Sequence, residues 1–165
     1  WNFLNFSPGL VGGHCLPIDP YYLSSIAAKK KFKAEVALAG RKINDGMSNY
    51  VIKELVSCLN KKGKSLKNSK IMIVGLTYKP GVADMRNSLN FNIFKKIKKY
   101  NNKVHACDPF VGQKIKKTYK IYNKVQKNSG YDVIIFLSYH QIFKKIFKDL
   151  KSSKSKILDP FKYYS

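Results

Sequence analysis

Lys70-Ile-Met-Ile-Val-Gly75 opens the stretch that decides the fold, and Leu76-Thr-Tyr-Lys-Pro-Gly-Val-Ala-Asp-Met-Arg-Asn-Ser88 completes it. A short apolar run ending at glycine predicts a strand buried on both faces, as in a parallel sheet. A loop of small and polar residues follows. A helix is expected from about Ser88 to Tyr100, with Leu89, Ile93, Phe94 and Ile97 as its core face. Ser88 stands where a side-chain oxygen can cap that helix. Downstream, Lys103-Val-His-Ala-Cys-Asp108 and Tyr131-Asp-Val-Ile-Ile-Phe-Leu137 read as two more strands, and Ile157 with Leu158 as a last short one. Strands alternating with helices predict an α/β domain with a parallel sheet covered on both faces. Ligands of such sheets bind at the carboxyl ends of the strands.

Upstream of Gly63 the texture is helical. Val36, Gly40, Ile43, Met47, Val51, Leu55, Cys58 and Leu59 step by threes and fours, which predicts one long helix over about 34–62 with a single apolar stripe. Gly40 and Gly46 weaken its first half, so a break there is possible, and Gly63 is a natural stop. The stripe is longer than one domain needs; it fits either a dimer seam or core packing. A short helix is expected over 21–31. Residues 1–23 are loop-like, punctuated by Pro8, Gly9, Gly12, Gly13, Pro17 and Pro20.

The chain has 165 residues and a formal charge of +23. That charge raises a nucleic-acid hypothesis. Only Arg41 and Arg86 among the 32 basic residues are arginine, however, and the lysines are spread along solvent-facing positions. Base and phosphate readout favours the planar fork of arginine. We read the lysines as a compositional bias and expect no nucleic-acid partner. No apolar run reaches the length of a membrane helix, so no membrane partner is expected either. Three cysteines without C-x-x-C spacing fit a reducing, cytoplasmic setting rather than a disulfide scaffold or zinc ribbon. The chain starts at Trp1 rather than Met, which suggests a fragment.

Two segments carry chemistry. In Gly12-Gly-His-Cys15 followed by Asp19, a thiol sits in a glycine-rich turn with a carboxylate four residues on. Glycines let a ligand approach the backbone, and a cysteine with a nearby acid is a plausible nucleophile. The same residues also read as an ordinary tight turn with an exposed His14. In the 74–88 loop, Lys79 and Arg86 stand before a helix N-terminus, an arrangement that suits an anion such as phosphate. Equally, Asp84 and Arg86 could pair at the surface of a simple strand-to-helix loop. Neither segment is G-x-G-x-x-G or a P-loop. His105 and His140 have no metal spacing and are expected at the surface or at strand ends; no metal site is expected. Cys58 and Cys107 read as packing residues.

Together the two segments resemble the nucleotide-sugar 6-dehydrogenase family, the UDP-glucose and UDP-N-acetylhexosamine dehydrogenases. The resemblance rests on Gly12-Gly13-His14-Cys15 with Asp19, on Gly75 to Lys79, and on Asp84, Arg86 and Ser88. It extends to Ala39-Gly-Arg-Lys-Ile-Asn-Asp45 and to Asp108-Pro109, and so runs from about residue 5 to residue 145. His14 before the cysteine and Asp19-Pro-Tyr-Tyr22 after it look more like the N-acetylhexosamine branch.

The resemblance implies a long helix followed by a Rossmann-like parallel-sheet UDP-binding domain. Residues 1–33 would be the end of the catalytic core, 34–63 a central dimerisation helix, and 64–165 the UDP-binding domain. The N-terminal NAD-binding domain would be absent from this chain. By the same resemblance, Cys15 is the catalytic nucleophile and Asp19 its assisting carboxylate. Gly9, Gly12, Gly13, His14, Tyr78 and Lys79 would meet the UDP-sugar substrate, and Arg86 the cofactor, NAD. The Tyr163-Tyr164 tail has no assignable chemistry.

Overall fold

A computed structural model describes residues 9–125, 129–150 and 153–164. Helix α1 spans Asp19–Lys29 and helix α2 spans Glu35–Asn60. The α/β part then runs β1 (Ile71–Val74), α3 (Leu89–Tyr100), β2 (Val104–Cys107), α4 (Gln113–Tyr119), β3 (Ile121–Tyr122), β4 (Val133–Phe136), α5 (Phe143–Leu150) and β5 (Lys156–Leu158). The sheet order is β3-β2-β1-β4-β5 and every pairing is parallel. Ile71 of β1 is in register with Val104 on one side and Val133 on the other.

The expected strands are all present, the first three trimmed by one or two residues at either end and the last longer by Lys156. The two-residue β3 and the lysine-rich α4 before it are additional. A strand of two residues offers no readable period, and only the neighbouring β2 makes it one. All four residues of β1 and of β4 are buried, as the continuous apolar runs require. Their side chains alternate between two cores. Ile71, Ile73, Val133 and Ile135 face the layer of α2 and α3, where Leu55, Leu59, Phe94 and Ile97 close over them. Met72, Val74, Ile134 and Phe136 face the other layer, against Phe143, Phe147 and Leu150 of α5.

Helix α2 is unbroken through Gly40 and Gly46, both of which point into open space. At 1.5 Å per residue it is about 39 Å long. It ends where Lys64 N–H reaches back to the Leu59 carbonyl, with Gly63 at φ +64° making the turn. The predicted stripe divides near Met47. Val51, Leu55 and Leu59 are fully buried, whereas Val36 is 89% exposed and Ile43 68% exposed. Helix α1 buries no residue at all. Among the described residues, no helix is long and apolar enough to cross a membrane.

The strand order reverses between β1 and β4, which opens a crevice at their carboxyl ends. Gly75 marks that point, at φ +86°; a Cβ there would come within 2.7 Å of Ser138 Cβ, so only glycine lets the loops after β1 and β4 meet.

Candidate active site

The loop after β1 and the glycine-rich segment before α1 face each other across an open cleft of about 410 Å³. Leu10 to Leu16 form one wall and Tyr78 with Lys79 the other. Five expected substrate residues and the expected nucleophile therefore line one cavity: Gly12, Gly13, His14, Cys15, Tyr78 and Lys79. Cys15 and Lys79 are exposed, and among the described residues neither side chain has a hydrogen-bond or ion-pair partner. A thiol and an ammonium group left free in a concave site are available to a ligand.

Gly12 and Gly13 serve a different end from the one their freedom suggests. Both are buried. A Cβ on Gly12 would lie 2.6 Å from Tyr78 Cβ and 2.9 Å from the Asn87 carbonyl oxygen. A Cβ on Gly13, at φ +91°, would lie 3.0 Å from the Tyr78 ring. The glycines are required by the packing of Tyr78, which lets the two walls touch at their base.

Asp19 opens α1, and its N–H donates to the Cys15 carbonyl at 2.8 Å. The Cys15 carbonyl thus anchors the turn that leads into the helix, while the exposed Asp19 carboxylate stands outside the residues lining the cleft. Gly9 also lies outside it, against the Tyr163 hydroxyl. Arg86 forks onto Asp84, with Nε at 3.0 Å from both carboxylate oxygens and a terminal nitrogen at 2.6 Å from Oδ2. The Arg86 side chain and its backbone N–H pull the Asp84 carboxyl down to about 2. Asp84 in turn raises the guanidinium, with smaller contributions from Tyr78 and Cys15. The surface pairing of Asp84 with Arg86 is thus real, and it does not exclude an anion, because the Arg86 side chain is 63% exposed.

Sequence reasoning missed the set beneath the second wall. Asp108, at the end of β2, is fully buried. Its Oδ2 accepts from Leu76 N–H at 2.7 Å, Thr77 N–H at 2.9 Å and the Thr77 hydroxyl at 3.2 Å, and its Oδ1 from Phe110 N–H. Burial opposes ionisation, yet the His140 side chain and the Thr77 and Leu76 amides outweigh it and hold the carboxyl below its ordinary value. His140 is buried rather than at the surface. Its Nδ1 accepts from Gly81 N–H at 3.1 Å, which leaves the proton on Nε2, 3.3 Å from Asp108 Oδ2 and 3.2 Å from the Thr77 hydroxyl. Phe110 stacks on the imidazole and Phe143 meets it edge-on, which keeps water from these bonds. The Tyr164 hydroxyl accepts from His140 N–H at 2.7 Å, so the tail closes this knot. Ser88 caps α3 as expected, accepting from Phe91 N–H, and donates to the Leu76 carbonyl at 2.5 Å. The bonds that end on Leu76, Thr77 and Gly81 fix the segment that carries Tyr78 and Lys79. In sequence only Asp108-Pro109 at a strand end hinted at them.

His105 lies inside β2, half-buried, with Nδ1 3.0 Å from the Tyr131 hydroxyl. Cys107 is buried, and burial pushes its thiol up to about 12. Cys58 is half-buried and packs against the core, as read. Among the described residues no group of three or more His, Cys, Asp or Glu side chains could hold a metal ion.

A five-stranded parallel sheet with an exposed thiol and an ammonium group on opposite walls of one open cleft defines an α/β protein. Comparison with known proteins gives the family. Residues 72–164 match the UDP binding domain of the UDP-glucose/GDP-mannose dehydrogenase family, and residues 2–46 match that family's central domain. The chain belongs to the UDP-glucose/GDP-mannose dehydrogenase family, a family of NAD-dependent oxidoreductases. It is 41% identical over 148 residues to a UDP-N-acetyl-D-glucosamine 6-dehydrogenase of Salmonella typhi, covering 88% of this chain and 35% of the relative. It is 38% identical to a UDP-N-acetyl-D-mannosamine dehydrogenase of Methanococcus maripaludis, covering 90% of this chain and 32% of the relative. The chain thus spans about a third of the length of the curated relatives it matches. Among solved structures, a UDP-D-ManNAc dehydrogenase from Pyrococcus horikoshii superposes with a TM-score of 0.77 at 28% identity, over 96% of this chain and 37% of that one.

Proposed function

We propose that this chain carries the nucleophile and the nucleotide-sugar site of an NAD-dependent UDP-N-acetylhexosamine 6-dehydrogenase. UDP-N-acetylglucosamine is the favoured substrate, and the product feeds polysaccharide synthesis. The observation that carries the reading is the meeting across one cleft of Cys15 and Lys79, whose side chains have no partner among the described residues. The N-acetylhexosamine choice is supported by relatives whose names include both the glucosamine and the mannosamine sugars.

In this reading the C6 alcohol is oxidised in two stages, each removing a hydride from C6 and a proton from the hydroxyl it carries, the proton passing to a base and on to solvent. NAD, when bound, accepts those hydrides, one per stage. After the first stage Cys15 Sγ adds to the aldehyde carbon, and its proton passes to the new hemithioacetal oxygen. The second stage converts that centre to a thioester. Water then adds to the acyl carbon, the C–S bond breaks, and the thiolate recovers its proton. Covalent capture keeps the aldehyde from escaping. Asp19 assists the proton transfers. Lys79 and Tyr78 hold the anionic substrate, with Gly12, Gly13 and His14 on the opposite wall and Gly9 just outside it, at the start of that segment. Arg86 meets the cofactor; its guanidinium, largely exposed although paired with Asp84, suits a diphosphate.

The domain reading follows the same proposal: 1–33 as the end of the catalytic core, 34–63 as a dimerisation helix, and 64–165 as the UDP-binding domain, with the NAD domain upstream in the gene product. Exposed Leu23, Ile26, Val36 and Ile43 on α1 and α2 support a homo-oligomer through this face. A cytoplasmic setting fits the three free thiols.

The decisive experiment assays the complete gene product with NAD against a panel of UDP-hexoses and their N-acetylated forms, wild type beside Cys15→Ser. Reduction of two NAD per sugar, abolished in the variant, supports the proposal. Sugar binding without NAD reduction would replace it by a non-catalytic nucleotide-sugar module.

A further inference from the structure

Two asparagines grip the nucleophile segment from opposite sides. Asn44 of α2 pairs with the backbone of Val11 in both directions: Val11 N–H donates to Asn44 Oδ1 and Asn44 Nδ2 donates to the Val11 carbonyl, each at 3.2 Å. Two residues on, Gly13 N–H donates to the Arg86 carbonyl at 3.0 Å, and the Asn87 side-chain amide donates to the Gly13 carbonyl at 2.9 Å. Every backbone polar group of Val11 and Gly13 is thereby matched, and Cys15 follows two residues later.

Asn87 occupies the left-handed region, at φ +48°. A non-glycine residue there is uncommon, and asparagine is among those that tolerate it best. The same residue offers its carbonyl edge to Gly12, where a Cβ would lie 2.9 Å from the Asn87 oxygen. An unusual backbone, a close glycine contact and a side-chain bond thus converge on one position.

We propose that Asn87 is a positioning residue for Cys15. By docking Gly13 onto the Arg86-Asn87 backbone, it fixes the nucleophile wall of the cleft to the wall that carries Tyr78 and Lys79, with Asn44 as the second grip. The inference rests on the proposed function for its kinetic consequence. Its structural content, that one amide holds the segment, is independent of any reaction. A thiol must meet its target carbon within a narrow range of distance and angle, and a misplacement of about 1 Å costs roughly 10²-fold in rate. A nucleotide-sugar held by Lys79 and Tyr78 would still bind if the opposite wall drifted.

The test uses the complete gene product with Asn87→Gly, Asn87→Asp and Asn87→Ala. Glycine accepts φ +48° freely, so N87G removes only the amide bond. N87D keeps the shape but turns a donor into an acceptor facing the Gly13 carbonyl. N87A adds backbone strain, and N87G keeps the test informative should N87A not fold. Hydrogen exchange of the peptide spanning 10–18 is expected to quicken about tenfold in N87G and more in N87D, with β1 exchange unchanged. kcat is expected to fall about 10- to 100-fold while KM for the UDP-sugar stays within about threefold. Unchanged exchange over 10–18 in a folded N87G or N87D overturns the proposal. So does a fall in thermal stability with kcat retained, which would make Asn87 merely structural. If wild-type protein shows no dehydrogenase activity, the functional reading falls, and the exchange data still decide the grip.

Discussion

The loop after β1 has two sides, and they are opposites in chemistry. Beneath it, Asp108, His140, Thr77 and Tyr164 form a buried knot in which each polar group meets another. Above it, Cys15 and Lys79 face an open cleft with no partner among the described residues. The contrast teaches how to sort polar residues at the carboxyl end of a parallel sheet. Groups that are paired and dry hold the loop in place, since leaving one unpaired there is costly. Groups that are wet and unpaired are the ones a ligand can recruit.

That division can be broken by mutation, starting where the effect should be greatest. Cys15→Ser is expected to lower NAD reduction by the complete gene product by about 10³-fold or more, because a hydroxyl is a far weaker nucleophile at neutral pH. Thermal unfolding should be unchanged, since the thiol touches nothing in the core. A large loss of stability would move Cys15 into the framework.

Asp108→Ala attacks the knot. It leaves the Leu76 and Thr77 amides and His140 without their acceptor, and a loss of about 3 kcal/mol is expected in denaturant unfolding. The pH dependence sharpens this. The folded carboxyl sits below its unfolded value, so its contribution is complete above the unfolded value of about 4 and disappears as pH falls through the lower folded value. Wild type should therefore lose stability in acid over that window more steeply than Asp108→Asn. Parallel acid limbs in the two proteins would show that Asp108 is not held ionised.

Lys79→Ala probes the wet side again. Losing one charge-assisted contact to a diphosphate corresponds to about 1.5–3 kcal/mol, or roughly 10- to 100-fold in KM, with unfolding unaffected. An unchanged KM for every UDP-sugar would place the anion elsewhere. The smallest effect concerns the thiols. Iodoacetamide at neutral pH should label exposed Cys15 and leave native Cys107 unreacted, because burial raises that thiol to about 12. Labelling of Cys107 in the folded protein would mean that the sheet opens readily.

Much of the architecture was legible because its signal is local. The run 71–74 is apolar without interruption and ends at a glycine, and the 133–136 run repeats the pattern, so buried parallel strands follow from periodicity alone. The glycine-cysteine turn and the lysine-arginine loop were both visible, and the fold brings Cys15 and Lys79 to one cleft although 63 positions separate them in the chain. The stripe of α2 was read as one feature because its period is continuous. Burial of Val51, Leu55 and Leu59 beside exposure of Val36 and Ile43 depends on where the sheet stops, which the period does not encode. His140 was misplaced for a similar reason. A lone histidine after a strand has no pattern, and only the arrival of Phe110, Phe143 and Tyr164 from three other elements buries it.

The sequence by itself determined the class of the fold, its main strands, and the glycine-cysteine and lysine-arginine segments, because each is written in contiguous residue types. The tertiary structure decided which of those residues meet, and why Gly12 and Gly13 are glycines: Tyr78, 65 positions beyond Gly13, occupies the space of their side chains. It also decided that Asn44 and Asn87 grip the nucleophile segment. Hydrogen bonds across 33 and 74 positions leave no trace in local composition, since an amide at either site becomes specific only when the backbone it reads has been brought opposite.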